Sequence, residues 1–190
     1  MLFGVWLFEF VKMPVYYTYF IATLPTLSFR EKPPFSYAEF LNKGREFISA
    51  QDLETLKKIS SWLERGPKDI SLDVLKRWYD FDILLRNALV KLRAARKHQA
   101  VDKYLRPQKE EISPYAAHIA LNAHKNPSLL EAEISLDDAR WRFLDDLSFG
   151  HYFDRDFLIV YGLKLLISER WERIKTLNKE VALEELLGKA

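Results

Sequence analysis

Between residues 50 and 65 the apolar positions Leu53, Leu56, Ile59 and Leu63 fall three or four apart, and polar or charged residues fill the gaps. That period draws one apolar stripe along an α-helix. Ser49 stands at its N-cap and Gly66-Pro67 supplies stop chemistry. The same pattern predicts a helix opened by a Ser36/Glu39 capping box and running to about Phe47, then a long helix capped by Ser71 and reaching about Gln99. A short helix is expected over 114–124, with Asn126-Pro127 as the break. Ser128 to about Leu147 follows as an amphipathic helix ended by Gly150. A last long helix spans about Asp154 to Leu177, with a short "EVALEELL" helix after it. Only "VYYTYFIATL" leaves helix and strand both open, because its aromatic and β-branched residues suit either. The fold class is therefore all-α, a multi-helix bundle of packed helical hairpins with two long central helices. Residues 1–13 read as an N-terminal extension and 14–190 as a single all-α domain.

The first 25 residues are apolar enough to raise the question of a signal peptide or a membrane span. Glu9 and Lys12 interrupt the run, Pro14 and Pro25 bracket its later part, and neither a basic leader nor a small-residue cleavage site is present. The expectation is that it is neither, with no transmembrane segment; Met13 offers an alternative start. With 190 residues, 48% hydrophobic and 29% charged, the chain can bury one sizeable core or two small ones. A formal net charge of +2 does not call for nucleic acid or an anionic membrane as partner. The absence of cysteine excludes disulfides, thiolate metal sites and cysteine nucleophiles, and fits a cytoplasmic home.

Charge inside the long helix changes the picture more than overall composition does. Leu75, Trp78, Asp82, Leu85, Leu89 and Leu92 follow one another at helical spacing, so Asp82 falls on the apolar stripe. A buried carboxylate is tolerable when paired, and Arg86 lies four residues on. Asp82 and Arg86 are thus expected to form a structural ion pair that fixes helix register. Asn87 and Arg93 are expected to face a partner, together with Arg96 and Lys97 of a basic end that continues to Lys109.

In the last long helix Gly162 costs about 1 kcal/mol relative to alanine, which predicts close approach of a neighbouring helix. Arg170 and Arg173 flank Trp171 either as a docking patch or as stems covering the indole. The stretch "EAEISLDDARWRFLDD" is acidic, and its charge suits complementary contacts within the chain or with a partner. No Glu-x-x-His pair, His-Glu-x-x-His motif, P-loop or nucleophile elbow occurs, so no metal, no cofactor and no catalytic residue is expected.

Two kinds of motif carry a resemblance. "DFDILLRNALVKLRAA" resembles the part of the V/A-type ATPase C subunit (d in eukaryotes) where an acidic residue precedes an Asn-Leu pair and an Arg-Ala element; here these are Asp82, Asn87, Leu89, Arg93 and Ala94. "YYTYFIATLPTLSF", "PPFSYAEFL" and "LSFGHYFDRDFLIVYGLKLLISERW" resemble more closely a bacterial family encoded among V-type ATPase genes, over most of residues 14–175. The resemblance implies a non-enzymatic, all-α piece, peripheral to the membrane, that couples the central shaft of a rotary ATPase to its membrane ring. Those shaft and ring subunits are then the partners, through Asn87, Arg93, Arg96, Lys97 and Arg170. The chain is much shorter than the archaeal and eukaryotic subunits, which implies a reduced form or an accessory protein. The alternative is a helical nucleic-acid-binding or general protein-interaction module that uses the basic 93–109 segment.

Overall fold

The structure is a computed structural model that describes residues 16–65, 72–107 and 113–187, with side chains described except at 62–65 and 178–187. The readings made above for residues 1–13, Gly66-Pro67, Ser71 and Lys109 lie outside the described residues. Among the described residues seven α-helices follow in order: α1 (Tyr17–Thr23), α2 (Tyr37–Gly44), α3 (Ala50–Arg65), α4 (Asp73–Lys97), α5 (Pro114–Lys125), α6 (Leu129–Ser148) and α7 (Arg155–Leu187). A 3-10 turn, Asp102–Tyr104, lies between α4 and α5. The class is all-α.

Local chemistry accounts for most of the boundaries. The Ser36 hydroxyl accepts from the Glu39 amide while the Glu39 carboxylate accepts from the Ser36 amide, so both sides of the capping box are made. Ser49, Ser113 and Ser128 accept from the amides of Asp52, Ala116 and Glu131 at the starts of α3, α5 and α6. Gly150 has φ +87 beyond α6, a backbone conformation that costs glycine little. At the end of α4 the same left-handed region is taken by His98, φ 53.

Three boundaries differ from the pattern reading. The segment that left strand and helix open is the short helix α1, whose Phe20 and Ile21 are buried. Helix α2 stops at Gly44 rather than Phe47. A Cβ at Gly44 would sit 3.3 Å from both Ile48 and Phe20, so the chain turns there against α1. The last helix does not break near Leu177 but runs to Leu187, since no proline or glycine interrupts "TLNKEVALEELL".

One buried apolar cluster draws on all seven helices. Successive pairs α4/α5, α5/α6 and α6/α7 pack as hairpins, α2 and α3 pack on each other and on α7, and α4 touches both α6 and α7. The two long helices thereby form the axis of the bundle. Gly162 is where α2 comes in: an added Cβ would lie 3.1 Å from the Tyr37 ring. Among the described residues no helix is long and apolar enough to cross a membrane.

Candidate partner-binding site

Helices α4, α6 and α7 meet around charges that ought to be costly. Asp82 (6% exposed) and Asp137 (1% exposed) are buried among apolar side chains. They are tolerated because each carboxylate is fully used. Arg86 donates to Asp82 at 2.5 Å, and Arg140 donates to Asp82 at 2.9 Å and to Asp137 at 2.6 Å. Arg170 then donates to Asp137 at 2.8 Å and to Glu133 at 2.9 Å. The order Arg86, Asp82, Arg140, Asp137, Arg170, Glu133 alternates in sign from one end to the other. Three positive and three negative groups cancel, and the chain crosses from α4 through α6 to α7. Burial opposes the charge on Arg140, but Asp82 and Asp137 on either side hold its pKa above the ordinary guanidinium value.

Asp82 and Arg86 are therefore paired, but the pair is one end of a longer array in which Arg140 is the bridging residue. The pattern reading assigned no role to Arg140, nor to Asp137 beyond a general acidic helix. A signal was present: Asp137 lies four residues before Trp141 and seven before Leu144, both buried, so it shares their face of α6.

Asn87 does not face outward. It is 3% exposed, its amide donates to the Arg106 carbonyl at 2.9 Å, and its side-chain oxygen accepts from the Arg106 amide at 3.0 Å. It clamps the chain after α4 back onto the helix, as a buried amide with satisfied donors and acceptors does. Arg170 is half-buried and bound to α6, and its guanidinium also lies 6.0 Å from the Trp171 ring centre. Arg93, Arg96 and Lys97 are exposed at the C-terminal end of α4.

Two adjoining cavities lie here, one among α4, α6 and α7 and the other among α4, α5 and α6. One, of about 590 Å³, brings Asp82, Arg86, Arg93, Arg170 and Arg173 together over Leu89 and Leu136. The other, of about 510 Å³, is bordered by Arg93, Arg96, Lys97 and His124. Leu89, Arg93, Glu133 and Leu136 line both, so the two form one groove. Of the seven residues singled out in the sequence, six line this groove and Asn87 lines neither cavity, being buried against Arg106. Among the described residues no three histidine, aspartate or glutamate side chains gather as a metal site. No family model, curated protein or solved structure matches the chain.

Proposed function

We propose that this protein is a non-enzymatic component or accessory factor of a V/A-type rotary ATPase, a helical piece that works by docking to shaft and membrane-ring subunits. The observation that carries the reading is how the three stretches behind the family resemblance converge. Tyr161 of the third stretch donates to the Pro25 carbonyl of the first at 3.0 Å, and its ring lies 5.4 Å from that of Phe40 in the second. The Tyr37 amide donates to Glu169 at 2.8 Å, and Tyr37 packs on Gly162. Stretches more than a hundred residues apart thus form one packed unit.

Two features suit docking rather than turnover. The interior carboxylates are consumed by arginines, which leaves them engaged in holding helices together. Meanwhile Phe149, Tyr152 and Phe153, in the connection between α6 and α7, are 83%, 60% and 57% exposed, more aromatic surface than packing requires. The test is affinity capture of the tagged protein from detergent-solubilised host membranes, with bound proteins identified by mass spectrometry. Recovery of rotary ATPase shaft and ring subunits is the expected result. Their absence, from membranes in which the ATPase is intact, overturns the assignment.

A further inference from the structure

The groove bordered by α4, α6 and α7 has an unbalanced rim. Of the five arginines around its larger cavity, Arg86, Arg140 and Arg170 are consumed by Asp82, Asp137 and Glu133. The remaining carboxylate of that cavity, Glu169, accepts from the Tyr37 amide and keeps its negative charge, so the two cavities together are lined by seven cations against four carboxylates. Arg93 and Arg173 are exposed and, among the described residues, neither has an ion-pair partner. Arg96 and Lys97 add two more exposed cations with no ion-pair partner among the described residues, where the groove continues along α4. The accessible apolar lining is exposed Leu129 in the smaller cavity and half-buried Leu166 and Ile167 in the larger; Leu89 and Leu136, common to both, are themselves buried.

We infer that this groove is the seat of an acidic, amphipathic peptide segment of a partner protein, its apolar side chains on Leu129, Leu166 and Ile167 and its carboxylates on Arg93, Arg96, Lys97 and Arg173. The inference rests on the docking role proposed above but not on which complex supplies the partner. Charge complementarity chooses the occupant: uncompensated cations border an apolar trough, so a ligand that presents both acids and hydrophobes satisfies both. A basic segment would meet four like charges. A nucleic acid offers phosphates but no aliphatic face, and its backbone would run past Glu133 on the shared stretch of the groove. The pairing of Glu133 with Arg170 fixes that acid on the α6 side, leaving the α4 side cationic.

The test is selection from a displayed library of random peptides of roughly 15 residues, about four helical turns, on the immobilised full-length protein. Enriched sequences should be net acidic with apolar residues three or four apart. A synthetic copy of the winner should bind the Arg93→Glu/Arg173→Glu variant at least about tenfold more weakly and should be released by salt. Since both arginines are exposed and unpaired, circular dichroism should show the variant folded; should it not fold, Arg93→Gln/Arg173→Gln replaces it in the same comparison. Enrichment of neutral or basic peptides, no enrichment at all, or equal affinity for wild type and variant overturns the inference. So does tighter binding of short single-stranded DNA that is lost in the same variant. A failed selection beside successful ATPase capture would sink the groove assignment alone. A successful selection without ATPase capture would leave the groove and remove the complex.

Discussion

At the scale of single residues, Asp137 is the most demanding position in the molecule. It is 1% exposed, and guanidiniums from its own helix and from α7 take both carboxylate oxygens. Breaking a buried ion pair by removing one partner leaves the other charge stranded, which typically costs about 3–5 kcal/mol. Asp137→Ala is accordingly expected to lower unfolding free energy by about that amount, because Arg140 loses one partner and Arg170 keeps only half-exposed Glu133. Arg86→Ala is the control. Its side chain is 40% exposed and it sits at the end of the array, so its loss should stay within about 1 kcal/mol. Denaturant unfolding of the two variants measures the difference. Equal losses would mean that the charges do not act as a connected array.

Among the elements, α7 depends on how it starts. Asp154 accepts from the Phe157 amide at 2.9 Å and from His151 at 2.7 Å, so one carboxylate caps the helix and holds the preceding loop. Partial burial works against its charge, but the His151 and Phe157 hydrogen bonds prevail and hold its pKa below the usual carboxylate range. A depressed folded-state pKa means that the stabilisation is complete above the unfolded value of about 3.9 and is lost as pH falls through the lower folded value. The acid limb of the stability curve should therefore contain a step that Asp154→Asn removes, while Asp154→Ala also loses about 1 kcal/mol of capping at neutral pH. Melting temperatures between about pH 2 and 7 read both effects. An unchanged acid limb in Asp154→Asn would show that other carboxylates dominate it.

For the molecule as a whole, the contact of α2 with α7 decides how the N-terminal helices sit on the bundle. Tyr37 is held at both ends, its amide by Glu169 and its hydroxyl by the Leu56 carbonyl at 2.7 Å, and burial pushes its pKa well above the ordinary phenol value. The ring cannot easily retreat from a methyl group placed 3.1 Å away at Gly162. Gly162→Ala brings a helix-propensity gain of about 1 kcal/mol. Overpacking of about 1–3 kcal/mol should outweigh it, so thermal unfolding is expected to show a lower melting temperature. A higher one would mean that α2 shifts freely on α7, against the tight junction described here.

Helical class, the serine caps, the stripe that buries Asp82 and the need for a close neighbour at Gly162 were legible in the sequence, because each depends on residues within a turn or two of one another. Period and capping are local physics. The destinations of the charges were not legible. Arg140 reaches Asp82 across 58 positions and Arg170 reaches Asp137 across 33, and pattern along one helix says nothing of which other helix lies opposite. Asn87 reads from the chain as a surface recognition residue and is instead a buried clamp on Arg106, since its partner is a backbone group on a connection with no periodicity to reveal it. The sequence by itself determined the helices and the faces they must bury. Only the tertiary structure decided which charges cancel inside and which four have no ion-pair partner among the described residues at the rim of the groove, because pairing depends on distances that no local spacing encodes.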